Sequence, residues 1–480
     1  MIMSNPRTVF VSGCFNILHP GHMRLLRLAK EYGKRLVVGV ESDRMAGTSA
    51  HLPQNLRLEG VQGHSLVDEA FIFDEPITEL INRLRPDVIV KGKEHEGRQN
   101  PEFTAVEQYG GRLVFSSGET VFSSLDLIRK EFKTYDSRTL SLPIDYFSRH
   151  GIEKTKLVNL INSFVHLKVC VVGDLIVDEY ITCEPLGMSQ EDPTIVVMPV
   201  DSTRFVGGAG IVAAHAKGLG ATVQFLSVTG IDASREYALE GLATAGVAAQ
   251  LFVDDGRPTT LKQRYRSKGK SLLRVSHLHQ SAISATLQTQ LMTAMEQALD
   301  GADLLVFSDF NYGCLPQPLV DQLVAMAKTR GVLIAADSQS SSQVGDISRF
   351  KGMDLITPTE REARISTRNR EDGLVFLAEQ LRQQADARNV LLKLGEEGLL
   401  IHAGGGKEGE WLTDRIDALN SVAKDVAGAG DSLLVVSAMT LACGGTIWEA
   451  ACLGSLAAAV QVGRVGNMPL RKEELLRELT

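Results

Sequence analysis

Short apolar runs alternate with helical patterns along the first 130 residues of the chain. The runs consist mainly of Val, Ile, Leu and Phe and lie at 9–11, 36–40, 70–73, 87–90 and 111–115. Segments with helical periodicity, such as 22–32 and 76–84, lie between them. Short β-rich runs separated by helices predict a parallel, doubly wound α/β sheet. Because ligands of such sheets bind beyond the carboxyl ends of the strands, we expect the chemistry in the loops that follow them.

A second alternation of the same kind begins at 169–173. Its later strands are predicted at 222–228, 303–308, 332–336, 353–357, 390–394 and 398–402. Residues 134–165 contain Pro143 and a polar helical stretch, so we expect a linker and a connecting helix there. The predicted organisation is an α/β domain at 1–135, a connection at 136–166 and a second α/β domain at 167–480.

The stretch 432–463 is rich in Leu, Ala and Val and resembles a membrane span in composition. Trp448 and Glu449 interrupt it, and Gly444-Gly445 breaks the helical pattern. We therefore predict two buried helices and not a transmembrane segment.

Composition narrows the class of protein. The 480 residues carry 50 Lys+Arg against 58 Asp+Glu, a net charge of −8, which argues against a protein that mainly holds nucleic acid. The six Cys form no CxxC pair, which argues against a disulfide scaffold or a Cys-rich zinc module and fits a reducing compartment. The N-terminus shows no signal-peptide pattern. We expect a cytoplasmic enzyme with small-molecule partners and without nucleic-acid or membrane partners.

The first candidate site follows the first predicted strand. The strand runs into Gly13, and His19-Pro20-Gly21-His22 then opens a helix. A helix N-terminus offers free N–H groups and a positive dipole to phosphate, and two imidazoles can donate to phosphate oxygens in the transition state. Gly13 and Gly21 let the backbone approach a nucleotide closely. From these residues alone, a plain β–α turn with two exposed His stays an equal alternative.

With the segments 36–43, 90–93 and 122–124, this loop resembles the nucleotidyltransferase superfamily with the HxGH signature, in particular its cytidylyltransferase-like branch. The resemblance implies a Rossmann-like fold with His19 and His22 as catalytic residues and Arg57 at the substrate. It implies a nucleotide site built from Gly13, Cys14, Phe15, Gly21, Lys91, Ser123 and Ser124. Asn16 stands where the family usually has Asp, and 117–122 lacks the Arg of glycerol-phosphate cytidylyltransferases. ATP and CTP both stay open as its nucleotide.

The second candidate site is the segment Gly428-Ala429-Gly430-Asp431, which precedes a long apolar stretch. Small residues at a helix start expose consecutive N–H groups, which can form an anion hole for a transferring phosphoryl group. Asp431 is placed to accept a proton from a hydroxyl nucleophile. Because glycines before helices are common, this segment alone is moderate support.

Four further segments, 173–178, 207–210, 357–362 and 392–398, resemble the ribokinase-like carbohydrate kinases, as does 308–310. The resemblance implies Asp431 as the base and Glu362 as the residue that organises Mg²⁺. It implies sugar contacts from Asp174, Asp178, Gly207, Gly208 and Asp309, and ATP contacts from Lys393, Gly395, Gly398, Gly428, Ala429 and Gly430. Thr359 and Ile211 each replace an Asn of the family pattern. A basic run at 262–268 is a further candidate for contact with a substrate phosphate.

Within that family the spacing is most similar to heptose-phosphate kinases, and both halves together resemble bifunctional heptose-phosphate kinase/adenylyltransferases in reversed order. The resemblance implies Mg²⁺-dependent phosphorylation of a sugar phosphate by ATP, with heptose 7-phosphate and its anomeric hydroxyl as the expected substrate. It also implies nucleotidyl transfer to a sugar 1-phosphate, giving ADP-heptose and pyrophosphate, and a homodimer. Another sugar phosphate, CTP, or a single active half are the alternatives.

Overall fold

The computed structural model describes residues 7–16, 18, 20–47, 50–92, 100–115, 140–267, 270–340, 345–404, 411–420 and 423–480. His19, Ser123 and Ser124 lie outside the described residues. The described chain forms one five-stranded, one nine-stranded and one four-stranded sheet.

The five-stranded sheet is parallel throughout, in the order β3-β2-β1-β4-β5. Its strands are β1 (Thr8–Gly13), β2 (Arg35–Glu41), β3 (Glu69–Phe73), β4 (Val88–Lys91) and β5 (Arg112–Phe115). The helices between them are α1 (Pro20–Glu31), α2 (Asp43–Ala46), α3 (Gln54–Gln62), α4 (Ile77–Leu84) and α5 (Pro101–Glu107). Val9 and Val11 pack into one apolar cluster and Phe10 into another, because successive side chains of a strand point to opposite faces. The predicted doubly wound sheet is confirmed.

The nine-stranded sheet has the order β10-β9-β6-β13-β14-β15-β16-β17-β18. It is parallel except at the β16–β17 and β17–β18 pairs, which are antiparallel. Its strands are β6 (Lys168–Gly173), β9 (Thr222–Thr229), β10 (Ala248–Val253), β13 (Leu304–Asp309), β14 (Leu333–Ser338), β15 (Leu355–Ile356), β16 (Asn389–Lys393), β17 (Leu399–Gly404) and β18 (Trp411–Ile416). The seven strands predicted for this half are confirmed, and β10 and β18 extend the sheet at its two edges.

The four-stranded sheet, called the lid sheet below, has the order β12-β11-β7-β8. Its strands are β7 (Leu175–Met188), β8 (Ile195–Gly208), β11 (Thr260–Ser267) and β12 (Lys270–His277). The outer parts of β7 and β8 are exposed, although β8 begins with the apolar run 195–200. The strand predictions do not include this long hairpin.

The helices of the second half complete the layers over the nine-stranded sheet. They are α6 (Ile144–His150), α7 (Lys154–Ser163), α8 (Ala209–Gly218), α9 (Ala233–Thr244), α10 (Ala285–Ala298), α11 (Gln317–Thr329), α12 (Glu360–Thr367), α13 (Leu374–Gln384), α14 (Ala429–Ala442), α15 (Ile447–Val462) and α16 (Lys472–Leu479). Two of them, α6 and α7, occupy the region where one connecting helix is expected. Tyr146, Leu157 and Phe164 of this region are buried in the same core as β6, so it packs as part of the larger unit.

Helices α14 and α15 are the two buried helices expected from the apolar stretch 432–463. They pack closely because Gly454 lies against Ser437 and the carbonyl of Leu433. Across the described residues, no helix combines the length and the apolar character needed to cross a membrane. Asp431 lies in the first turn of α14, so this helix contact also positions the second candidate site.

The C-terminal end of α1 contacts the larger unit. Arg415 on β18 pairs with Glu31 of α1 and also with Glu397, which follows β16. The ring of Tyr32 meets the edge of Phe376 on α13, with 6.2 Å between centroids. A buried ion pair and an aromatic contact thus join the five-stranded sheet unit to the nine-stranded one.

Substitution of Gly454 by Val is expected to lower the free energy of unfolding by about 1–3 kcal/mol, because a side chain there overlaps Ser437 and must push α15 away from α14. The half-buried neighbour Ser455 provides the control, Ser455→Val. Urea denaturation of both variants checks this. Equal stability of Gly454→Val and Ser455→Val would show that the helices do not depend on this contact.

Candidate active sites

The start of α14 has the backbone geometry of an anion hole. Gly428 caps the helix with φ of +76°, a left-handed conformation that favours glycine. A Cβ at Gly428 would lie 2.5 Å from Oδ1 of Asn467, and one at Gly430 would lie 3.1 Å from Nζ of Lys393. Small residues are therefore required here for two reasons, backbone conformation and close approach by polar side chains. The N–H groups of the first helical turn have no partner within the helix and are suited to phosphate.

Asp431 lies in this first turn and is 5% exposed. Its Oδ1 accepts a hydrogen bond from Nε2 of Gln339 at 3.2 Å. Burial is the main cause that raises the pKa of Asp431 to about 7, and the carboxylate of Asp337 is the second cause. The positive charge of Lys393 lowers this pKa. A carboxylate with a pKa near neutrality is matched to proton transfer at physiological pH.

Lys393, at the end of β16, forms an ion pair with Asp337, at the end of β14. Nζ lies 3.1 and 2.9 Å from the two carboxylate oxygens of Asp337, and the side chains are 14% and 2% exposed. The resemblance to carbohydrate kinases implies that Lys393 contacts ATP, but no motif in the sequence singles out Asp337. A signal for Asp337 existed, because the residue ends an apolar strand at the carboxyl edge of the sheet.

Glu362 is buried at the start of α12. Oε2 accepts from the backbone N–H of Thr359 at 2.7 Å, and Oε1 accepts from that of Ser340 at 2.9 Å. Thr359, which replaces the Asn of the family pattern, completes a capping box with Glu362. The carboxylate therefore holds two loops together at the site, and it still has lone pairs that a cation or a bound water can use.

Asp178 on β7 extends from the lid sheet to the same region and is 5% exposed. Its Oδ2 accepts from Nδ2 of Asn467 at 3.0 Å, and its Oδ1 lies 3.8 Å from the guanidinium of Arg264 on β11. Gly207 lies directly against this carboxylate, so any side chain at 207 would displace it. Burial raises the pKa of Asp178, against the opposing effects of Arg264 and Lys262.

The basic run at 262–268 is part of the lid sheet. Nζ of Lys262 lies 4.9 and 5.1 Å from the ring centroids of Phe310 and Tyr312. The charge of Lys262 lowers the pKa values of both Asp178 and Asp431, although burial raises both overall. This strand therefore adds positive charge on the lid side of the Asp431 site.

Asp174 and Asp309 bind the protein itself in this structure. The carboxylate of Asp174 accepts from the backbone N–H groups of Phe310, Tyr312 and Cys314 at 2.7–3.3 Å. Asp309 accepts from Oγ of Ser338 at 2.7 Å and pairs with Arg349 at 2.9 Å. Both residues shape the loops at the strand ends, and their predicted contact with sugar stays a prediction.

The remaining glycines predicted for this site lie at turns around it. Gly208 precedes α8 and lies against the carbonyl of Asp174. Gly395 and Gly398 bound the short turn between β16 and β17, beside Glu397. The structure brings Asp178, Glu362, Lys393 and Asp431 into one polar region and places Gly395 and Gly398 at its β16 side.

Two contacts that the sequence analysis missed tie the lid sheet to the anion hole. The hydroxyl of Tyr180 on β7 donates to Asp425 at 2.7 Å, and Asp425 also accepts from the N–H of Ala427 and of Gly466. Asn467 donates from Nδ2 to Asp178, and its Oδ1 lies 2.5 Å from the position that a Cβ would occupy at Gly428. No local pattern marks Tyr180 or Asn467, since each acts on a residue far away in the sequence.

The first candidate site lies at the carboxyl end of β1. Gly13 ends the strand, and Phe15 follows with φ of +51° and a ring centroid 5.0 Å from that of His22. Gly21 and His22 belong to the first turn of α1. Oδ1 of Asn16 accepts from the N–H of His51 at 2.7 Å, which joins Asn16 to the segment that precedes α3. The described part of the site thus places a His and a glycine-containing loop at one helix start.

Arg57 is 1% exposed and binds the loop that carries Cys14. Its guanidinium donates to the carbonyls of Cys14 and Leu52 at 2.7 and 2.9 Å and pairs with Asp43 at 2.7 Å. Burial raises the pKa of the Cys14 thiol, in accord with a packing role. The structure places Arg57 beneath the site, and its predicted substrate contact stays a prediction.

Lys91 ends β4 at the same edge of the sheet. Its Nζ pairs with Oε1 of Glu102 at 2.6 Å, and both side chains are largely buried. Lys91 therefore takes part in an internal ion pair, and its predicted contact with nucleotide phosphate stays a prediction. Glu102 was not singled out in the sequence.

The three sheets and the two candidate sites define a two-unit α/β protein. One half is nucleotidyltransferase-like and the other is sugar-kinase-like. The model of the pfkB carbohydrate kinase family matches residues 166–473, and the cytidylyltransferase-like model matches residues 10–98. The chain belongs to the pfkB family of carbohydrate kinases, and the cytidylyltransferase-like match precedes the kinase in the chain.

Relatives with curated names are about 30% identical. "Bifunctional protein HldE" of Desulfatibacillum aliphaticivorans is 30% identical over 66% of this chain and 64% of its own length. The protein of the same name from Paramagnetospirillum magneticum is 30% identical over 68% of this chain and 65% of its own length. The chain thus matches just under two thirds of the length of each of these relatives.

Solved structures share the kinase fold. Arabidopsis thaliana ribokinase in complex with ribose and ATP matches with a TM-score of 0.52 and 20% identity, covering 65% of this chain and 99% of that chain. Escherichia coli phosphofructokinase-2 in complex with substrates and products matches with a TM-score of 0.53 and 16% identity, covering 65% and 98%. The predicted ribokinase-like fold is confirmed.

Replacing Arg57 by Met should destabilise the five-stranded sheet unit by about 1–3 kcal/mol, because the carbonyls of Cys14 and Leu52 lose a donor that is itself buried. Arg44→Met removes an exposed cation of the same domain, paired with Asp74, and is expected to change stability by less than about 0.5 kcal/mol. Urea denaturation followed by circular dichroism compares the two. A loss at Arg57 no larger than that at Arg44 would show that the buried guanidinium does not stabilise the loop.

Proposed function

We propose that the chain is a bifunctional sugar-activating enzyme. In this proposal the kinase half uses ATP and Mg²⁺ to phosphorylate a sugar phosphate, heptose 7-phosphate, at its anomeric hydroxyl. The transferase half then joins a nucleotide to a sugar 1-phosphate and releases pyrophosphate, giving ADP-heptose. The proposal is supported by the two family matches in one chain and by relatives named as bifunctional.

The observation that carries the kinase proposal is the buried Asp431 in the first turn of α14, next to the amides of the helix start. Asp431 takes the proton of the sugar hydroxyl while the hydroxyl oxygen bonds to the γ-phosphorus of ATP. The bond between that phosphorus and the β–γ bridging oxygen breaks, and ADP leaves with the electron pair. The amides of Gly428, Ala429 and Gly430 stabilise the charge that builds on the transferring group.

The lid sheet suits a substrate with both hydroxyl and phosphate groups. Asp178 offers a buried carboxylate oxygen that has no hydrogen-bond partner among the described residues, and sugar hydroxyls are donors for such an oxygen. Lys262 and Arg264 bring positive charge to the same side, as a phosphate on the sugar requires. We propose that Asp178 holds the sugar and that the basic strand β11 contacts its phosphate.

Mg²⁺ is usually held by one or two carboxylates together with substrate phosphates. Among the described residues no group of three or more His, Cys, Asp or Glu could hold a metal ion. Glu362, with carboxylate oxygen lone pairs at the site, is the residue we propose for it. The bound ion would neutralise phosphate charge.

In the transferase half, we propose that the sugar 1-phosphate attacks the α-phosphorus of the nucleotide and that pyrophosphate leaves. His22 and its partner in the HxGH sequence, His19, donate to the phosphate oxygens in the transition state. Lys91 and the serines 123 and 124 help to hold the nucleotide. Because the kinase product would be a heptose bisphosphate, a separate phosphatase must remove the 7-phosphate between the two steps.

The two activities should separate cleanly by mutation. Asp431→Asn is expected to abolish formation of the bisphosphate and to leave nucleotidyl transfer unchanged. His22→Ala should lower nucleotidyl transfer by about 100-fold or more and leave the kinase intact, because it removes a transition-state donor only there. Mass spectrometry measures the products that the chain forms from D-glycero-D-manno-heptose 7-phosphate with Mg²⁺ and ATP. A separate reaction with heptose 1-phosphate and ATP tests nucleotidyl transfer.

Three outcomes would correct this proposal. No bisphosphate from the unmutated chain would exclude heptose 7-phosphate and send the assay to a panel of sugar phosphates. Transfer with CTP and not ATP would change the nucleotide. Loss of both activities in either folded variant would contradict independent sites.

We further propose that two chains pair through the lid sheet. This sheet has apolar side chains that are exposed at 40% or more, six on the β7–β8 hairpin and one on β12: Leu186, Met188, Ile195, Val196, Met198, Val200 and Leu273. Contiguous exposed apolar surface on a water-soluble domain is characteristic of protein interfaces. The exposed surface on both long strands and the resemblance to dimeric sugar kinases support a second copy as the occupant.

Met198→Glu is expected to shift the chain from dimer to monomer, because a charge cannot be buried in an apolar interface without a partner. Sedimentation velocity measures this against the mass of one 52.1 kDa chain. Val253→Glu, at an exposed position on the edge strand β10, is the control and should leave the dimer unchanged. A monomeric unmutated chain, or a Met198→Glu dimer, would contradict the lid-sheet interface.

A further inference from the structure

A buried ammonium group lies directly against the anion hole. Nζ of Lys393 comes within 3.1 Å of the position that a Cβ would occupy at Gly430, the middle of the loop that ends in Asp431. Gly430 therefore leaves room for this cation and not only for backbone flexibility. Lys393 belongs to β16 of the nine-stranded sheet, whereas Asp178 and Lys262 belong to the lid sheet.

The orientation of this ammonium is fixed by Asp337. The two carboxylate oxygens of Asp337 accept from Nζ at 3.1 and 2.9 Å, and Asp337 itself is 1% exposed at the end of β14. An ammonium carries three protons. Among the described residues, Nζ donates to the two oxygens of Asp337, which leaves one of its three protons for a further acceptor.

The charge on Lys393 is maintained in spite of its burial. Burial disfavours the ammonium, but the carboxylates of Asp337, Glu362 and Asp431 outweigh it and raise the pKa of Lys393. A permanent positive charge beside amides that receive a phosphoryl group strengthens their field, since electrostatic interactions are larger away from water.

We propose that Lys393 is a catalytic cation of the kinase, which donates from Nζ to an oxygen of the transferring phosphoryl group, and that Asp337 is its positioning residue. This inference rests on the proposed kinase function and deepens it. The resemblance to carbohydrate kinases implies only that Lys393 contacts ATP. Here the ammonium acts at the reacting group together with the amides of Gly428–Gly430, and Asp337 holds it there without touching substrate.

Lys393→Met should lower kcat of the kinase reaction by about 100-fold or more, the effect of removing one donor from an oxyanion hole. It should weaken binding of ADP with aluminium fluoride, a mimic of the transferring phosphoryl group, much more than binding of ADP alone. Calorimetry with these two probes measures that ratio. Arg149→Met, which breaks a buried ion pair with Asp414 on β18, is the control and should leave the ratio unchanged.

The acid limb of the kinase pH profile gives a second readout. The charged groups that face Asp431 are Asp337 on β14, Lys393 on β16, Asp178 on β7 and Lys262 on β11. Because Lys393 lowers the pKa of Asp431 and Asp337 raises it, Lys393→Met should move the limb to higher pH and Asp337→Asn to lower pH. Arg149→Met should not move it.

The double variant Asp337→Asn/Lys393→Met separates catalysis from structure, because it leaves no buried charge without its partner. A structural ion pair predicts that the double variant recovers activity, and a catalytic cation predicts that it does not. Recovery, or an unchanged ratio of the two affinities in a folded Lys393→Met variant, would overturn the inference. An unmutated chain without kinase activity would instead overturn the proposed function.

Discussion

The close packing of α14 on α15 is the constraint on which the kinase site depends. Gly454 lets the two buried helices approach, and the first turn of α14 then presents Gly428–Asp431 at the carboxyl edge of the nine-stranded sheet. Strand ends supply Asp337 and Lys393 to that turn, and the lid sheet supplies Asp178 from the other side. The chemistry is thus assembled around a fixed helix start, and each polar side chain is held by a neighbour from a different element.

Most of the central sheets could be predicted because their strands are buried on both faces and appear as apolar runs between helices. The two long lid strands were not predicted, since their outer parts are exposed and their apolar side chains, such as Met188 and Ile195, do not pack into a core. The antiparallel pairs β16–β17 and β17–β18 were not predicted either, because an alternation of strands and helices predicts only parallel pairs. Helices α6 and α7 were expected as a connection, but buried Leu157 and Phe164 make them part of the core.

The candidate sites were predictable where a motif is local in sequence, as at Gly428–Asp431 and around His22. They were not predictable where a residue acts through a distant partner. Asp337 matters through Lys393, Asn467 through Asp178, and Tyr180 through Asp425. Conversely, sequence could not show that Asp174 accepts three backbone amides or that Arg57 lies under the nucleotide loop. Such roles follow from three-dimensional neighbours, which spacing does not reveal.

The contact between α1 and the larger unit bears on how the two halves can be handled. Arg415 is shared by Glu31 of one half and Glu397 of the other, and Phe376 is covered on one side by Tyr32. A kinase half produced without its N-terminal partner would present Phe376 to water and leave Arg415 with half of its acidic neighbours. Dissection into separate halves therefore changes the surface of both, and polar replacement of Phe376 is the natural remedy for the isolated kinase.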